Sequence, residues 1–282
     1  LPPLLCIAPE LFHHDGSSHR ERGEILRYGL PRVPGDVALG ALLTVPGYIA
    51  LRTYGLGFSG EVGFGATLLN IAAAAFSPVA LLLLPAAATK LARGEYADLA
   101  QRVARMSLLV LLASIALTLG FELLASPLLL IYLGPNGESY VTISRIIFLG
   151  ALPFAYFNGM RSLLDAYYRT PRNGINLSKS FAILLLGGAF HLVVPTPWYT
   201  VPVVLLIALT YLGLATWSDA RYVHDELKRL AAQDMGALRV VVVVPEPEGG
   251  KVYESAREEA AHLRALGARV ALLHLESRTS LL

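Results

Sequence analysis

The 282-residue chain carries a net charge of +2, with 55% apolar and only 16% charged residues, and its mean hydropathy is +0.55. Those proportions exclude an ordinary soluble domain and place the chain in the membrane class. A single cysteine, Cys6, excludes an internal disulfide framework, and nucleic acid is not an expected partner, because the basic residues sit in short turns beside apolar stretches where membrane lipid explains them.

In chain order, Leu1 to Pro9 reads as the end of a preceding span and Glu10 to Glu24 as a polar linker, giving a first segment, 1–26, and the expectation of a missing N-terminal part. His13, His14, Asp15 and His19 fall in this polar stretch, where no metal is expected, and no cofactor is expected elsewhere. Six apolar stretches follow, over 33–52, 60–89, 106–131, 141–166, 175–194 and 199–219. Each reaches the length of about 20 residues that a helix needs to cross the hydrocarbon core. The expected fold is therefore all-α and membrane-embedded, a six-transmembrane-helix lobe over 27–220, followed by an amphipathic cytoplasmic linker over 221–237 and a small α/β tail over 238–282.

Basic residues alternate across the stretches. Arg20, Arg22, Arg27 and Arg32 precede the first; Lys90, Arg93, Arg102 and Arg105 separate the second and third; Arg169, Arg172 and Lys179 separate the fourth and fifth; Arg221, Lys228 and Arg229 follow the sixth. The remaining connections hold only Arg52 and Arg145. Positive residues mark the cytoplasmic side, so both ends of the segment are expected in the cytoplasm.

Pro34, Pro46 and Gly47 in the first stretch, Pro78 and Pro85 in the second and Pro153 in the fourth predict breaks, since a proline removes a backbone bond and crowds the preceding turn. Transporters use such breaks, although transmembrane helices in general carry more Pro and Gly than soluble ones. Polar side chains within the stretches are few. Arg32, Asp36, Asn70, Arg145, Asn158 and Arg161 are the candidate cavity-lining, substrate-binding residues. The four-residue spacing predicts local pairs, Arg32 with Asp36 and Arg161 with Asp165. Glu122 and Arg145 approach the outer face from successive stretches and are placed to pair or to line an opening, and His191 reads as an interfacial residue.

Residues 27–51, RYGLPRVPGDVALGALLTVPGYIAL, and the stretch beginning EVGFGA that follows resemble the start of the second half of polysaccharide flippases of the MOP superfamily. The matching positions are 29–31, 62–66 and 85–94, and the similarity extends over about 27–219. The resemblance implies two six-helix lobes around a central cavity exposed alternately to the two membrane faces, this chain supplying the C-terminal lobe and the missing N-terminal lobe acting as its partner. Implied too are a lipid-linked oligosaccharide or polysaccharide precursor as cargo, a bacterial-type plasma membrane as location, and transport rather than catalysis. Basic residues facing the cavity would hold the pyrophosphate, with Arg32, Arg145 and Arg161 the candidates by depth.

From Leu238 the composition changes. Residues 238–244 and 268–273 read as strands and 251–266 as a helix, a βαβ unit. The pattern RVVVVVPEPEGG is similar to the opening of GT-B glycosyltransferases, from which no catalytic residue carries over. Two further functions stay open: a membrane-anchored glycosyltransferase, which a second Rossmann domain would favour, and a drug or cation antiporter of the same superfamily, which would want an acidic residue deep in the lobe.

Overall fold

The structure, a computed structural model, describes residues 29–168, 170–194, 196–236, 239–245 and 269–275. A short 3-10 turn, Leu30–Arg32, leads into α1 (Val33–Tyr54), each opening on a proline where the missing N–H would have had no partner. α1 stops at Gly55, whose φ of +86° only glycine adopts readily, and α2 (Leu56–Ala74) turns back along it. Two residues later α3 (Ser77–Arg93) continues to Gly94, a left-handed cap at φ +72°. Then come α4 (Tyr96–Leu133), α5 (Gly137–Phe148), α6 (Ala151–Tyr167), α7 (Arg172–Val193) and α8 (Thr200–Gly236).

Five helical runs are long and apolar enough to cross a bilayer, and six are when α5 and α6, bent by 48°, form one broken span. These runs coincide with the six stretches expected from the sequence. The outside of the bundle is as apolar as its interior: Leu82, Leu123, Ile131 and Val193 are all more than three-quarters exposed. Water does not tolerate so large a continuous apolar surface, and hydrocarbon does. The chain is thus a multi-pass α-helical membrane protein.

α1 packs on α2 and α7, α7 on α8, α8 on α6, and α6 on α3 and α4, while α5 bridges α2 and α4. The interior forms two clusters stacked along the bundle. One gathers Leu42, Leu69, Ile147, Phe157, Leu184 and Leu205; the other gathers Leu83, Leu99, Val110, Met160, Leu163 and Leu227. α8 joins them, contributing its first half to one and its second half to the other. At 37 residues, about 55 Å at 1.5 Å per residue, α8 exceeds the roughly 30 Å hydrocarbon core, so its last turns project beyond the membrane.

Several local expectations change. Pro46 and Pro85 do not break their helices: α1 and α3 run through them. Beside Pro46 the Ser59 hydroxyl of α2 donates to the Gly47 carbonyl at 2.8 Å, a side-chain bond that ties the two helices together there. The interruptions fall beside two of the other expected prolines, at Ala75–Phe76 just before Pro78 and at Leu149–Gly150 ahead of Pro153. The segment 221–236 is a direct continuation of α8 rather than a separate linker.

After the bundle, β1 (Arg239–Pro245) pairs in parallel with β2 (Arg269–Leu275), Arg239 opposite Arg269 and Pro245 opposite Leu275. The helix expected over 251–266, the Gly-Gly turn and the four residues His13, His14, Asp15 and His19 lie outside the described residues.

Candidate functional site

The start of α1 is drawn onto α7 by two glycines. A Cβ on Gly35 would lie 2.4 Å from the Gly174 Cα, so any larger residue would force the helices apart. That approach brings the first turn of α1 beside the last turn of α6, and the two helices run in opposite directions. Arg32 therefore stands level with Asp165, and Asp36, one turn deeper, stands level with Arg161. The ion pairs form across the helices: Arg32 Nε to Asp165 Oδ1 at 4.0 Å and Arg161 Nη2 to Asp36 Oδ1 at 3.9 Å. The local pairs expected from four-residue spacing are not formed. The two helices meet at these ends rather than along their length, and there the arginine of each faces the aspartate of the other.

Hydrogen bonds extend this cluster. Asn173, in the first turn of α7, donates through Nδ2 to the Arg161 carbonyl at 2.7 Å. One turn on, Asn176 donates to Asp219 Oδ2 at 2.8 Å, tying α7 to α8. Ser180 then donates to the Ala208 carbonyl at 2.7 Å. Four helices, α1, α6, α7 and α8, are thus joined by polar contacts near one end of the bundle. Asn173, Asn176 and Asp219 were not among the sequence candidates. The signal for the first two was present, since Asn173, Asn176 and Ser180 fall on one face of a helix at spacings of three and four residues.

The other candidates lie elsewhere. Arg145 of α5 meets Glu122 of α4, Nε to Oε2 at 3.9 Å, the pairing that their approach from successive stretches suggested. Asn158 is half-buried and donates to the carbonyl of Phe154 in its own helix at 2.9 Å, while Asn70 is exposed on α2. His191 is buried, not interfacial in the sense of facing solvent: its Nδ1 bonds the Thr196 hydroxyl and its ring lies 5.6 Å from that of Tyr54, whose own hydroxyl donates to the Thr196 carbonyl at 2.9 Å. These contacts close the far end of the bundle.

At the charged end, the turn between α3 and α4 is held by Lys90, which bonds Glu95 at 2.7 Å and also pairs with Asp98. The Lys90 ammonium holds the Glu95 carboxyl below its ordinary range. Among the described residues no group of three or more His, Cys, Asp and Glu is arranged to hold a metal ion. What the cluster on α1, α6 and α7 can do is electrostatic: it gathers two guanidinium groups and two carboxylates, 3.9 and 4.0 Å apart in each pair, where an anion would compete with the carboxylates.

The fold and this end of the bundle define the class, a multi-span helical membrane protein with paired charges between its helices. In comparisons with known proteins, the chain matches no family model, no curated protein and no solved structure.

Proposed function

We propose that the chain is the six-helix lobe of a flippase-like transporter that carries a lipid-linked oligosaccharide or polysaccharide precursor across a bacterial-type plasma membrane by alternating access, together with a second lobe. The observation that carries the reading is the crossed pair of ion contacts between α1 and α6. Contacts of 3.9 and 4.0 Å with partly exposed partners are worth little as fixed braces. They suit a clasp that closes one end of a cavity and reopens. With the clasp open, Arg32 and Arg161 face a pyrophosphate, whose oxygens match the planar fork of a guanidinium. Helix interruptions at Ala75–Phe76 and Leu149–Gly150 lend support, since transporters commonly move about such points.

The antiporter reading gains nothing from Glu122 of α4, because Arg145 already faces it. The orientation that accompanies the proposal puts the charged turns, and with them Arg32 and Arg161, on the cytoplasmic side.

The test is export of lipid-linked glycan by the full-length protein in cells that depend on it. Arg32→Gln with Arg161→Gln is expected to reduce export at least ten-fold, the loss of about one charge-assisted hydrogen bond to phosphate, at unchanged protein level. Asp36→Asn with Asp165→Asn, which removes both competing carboxylates, is expected to retain export. Full export by the double arginine variant overturns the proposal.

A further inference from the structure

Two adjoining cavities run along the face where α4, α6 and α8 meet. The deeper one, about 530 Å³, is walled by Leu149, Leu152, Pro153, Leu214 and Thr210. The other, about 260 Å³, is walled by Val103 and Leu108 and ends at Arg221 and His224. Leu111, Tyr156 and Trp217 belong to both, so the two form one trough. Along α8 the wall extends from Thr210 to His224, about 21 Å at 1.5 Å per residue. That is somewhat more than the roughly 15 Å depth of one leaflet of hydrocarbon, which is half of a 30 Å core. The trough's floor is firm, because α6 and α8 touch there: a Cβ on Gly213 would lie 2.4 Å from Pro153 Cβ. Its rim is formed by exposed Leu108, Leu214 and Trp217, so it opens toward lipid rather than into the bundle.

Polarity along the trough is graded in one direction. The deep part is apolar. At the junction the Ser107 and Tyr156 hydroxyls are bonded to each other at 2.7 Å. At the shallow end, Arg221 lies over the Trp217 ring, 5.6 Å from its centroid, and reaches Asp225 at only 3.9 Å, with its side chain two-thirds exposed. His224 bonds the same carboxylate at 3.1 Å.

From this grading we infer that the trough is a binding site for one anionic glycerophospholipid of the leaflet at the charged end, with an acyl chain along α4, α6 and α8 and its phosphate at Arg221. The volume lies in the range of about 300–1,000 Å³ usual for small-molecule sites. The length matches a lipid chain of one leaflet, and Arg221 stands where the headgroup phosphate of that leaflet would be. A lipid phosphate competes with a single exposed carboxylate for Arg221, and the hydroxyl pair beneath it is placed to meet the ester region. The site lies on the opposite face of α6 from the clasp, and the inference does not rest on reading the protein as an exporter.

Trp217 is the natural reporter, and Trp198→Phe leaves it as the sole tryptophan. In vesicles of phosphatidylcholine containing this variant of the full chain, brominated phosphatidylglycerol is expected to quench Trp217 at a bilayer fraction about five-fold below that needed with brominated phosphatidylcholine, the preference that one basic residue gives an anionic headgroup. Arg221→Gln is expected to bring the two lipids together, and Arg221→Lys to retain most of the difference. Equal quenching by both lipids in the parent protein shows ordinary bilayer contact and overturns the inference, as does a preference that survives Arg221→Gln. Unbrominated polyprenyl phosphate, added at a low fraction, is expected to leave the quenching unchanged; relief of quenching assigns the trough to a polyprenyl carrier and overturns it as well.

Discussion

Gly35 and Gly120 both sit within helices, yet a Cβ on Gly35 would meet the Gly174 backbone at 2.4 Å while one on Gly120 would meet nothing within 4 Å. Backbone cannot move aside as a flexible side chain does. Gly35→Ala is therefore expected to destabilise the bundle by about 1–3 kcal/mol, as overpacking does, whereas Gly120→Ala should be neutral or stabilising by up to about 1 kcal/mol through helix propensity. Thermal unfolding of the purified protein in detergent compares them, and equal melting temperatures would show that α1 and α7 are not in close contact. The charged residues of the site illustrate the same limit on reading residues singly. Arg32, Asp36, Arg161 and Asp165 were all visible in the sequence, and so was their four-residue spacing. Spacing within one helix says nothing of a second helix running the other way, and that second helix decides the partners.

At the scale of elements, some prolines mark where these helices are interrupted and others do not. Pro46 and Pro85 lie within unbroken helices, while interruptions fall just before Pro78 and, with a 48° bend, at Leu149–Gly150 just before Pro153. Gly150 is pressed there against Leu209, to which a Cβ would come within 2.7 Å, and its N–H bonds the Ile147 carbonyl at 2.9 Å. Pro153 sits in the first turn of α6, where its missing N–H costs little. We therefore expect Pro153→Ala to preserve the bend. Spin labels on cysteines at Glu138 and Ala166 measure it by electron–electron distance. An increase of about 4 Å, which is what straightening two helices of these lengths would give, would mean that the proline, and not the contact with α8, sets the angle.

At the scale of the whole molecule, α1, α4 and α7 run one way and the bent pair α5–α6 the other, which gathers the turns rich in Arg and Lys at one end. Arg32, Lys90, Asp98, Arg161 and Asp165 pair there, and the turns at Gly55, Gly134 and Thr196 lie at the other. The sidedness of these ends in a membrane is the consequence to measure. In a Cys6→Ser background, single cysteines at Gly94 and Arg172 are expected to react with a membrane-impermeant thiol reagent only from the cytoplasmic side, and those at Gly57 and Thr196 only from outside. The reverse pattern would invert the proposed orientation and place the clasp at the outer face.

The number and position of the membrane stretches were legible from the sequence alone, because transfer into hydrocarbon is close to a sum over about 20 consecutive residues and needs no knowledge of neighbours. The charge asymmetry of the turns was legible for the same reason, being a property of short segments. Of the clasp, the sequence disclosed its four charges but not their partners, and it passed over Asn173, Asn176 and Asp219, whose importance lies in what they touch on α6, α7 and α8. Tertiary structure alone decided which of the prolines interrupt a helix, which carboxylate each arginine meets, and that Trp217, Tyr156 and Arg221 border one trough. Each of these depends on contacts between residues far apart in the chain, and such contacts are set by how helices pack side by side, which a local hydropathy sum does not record.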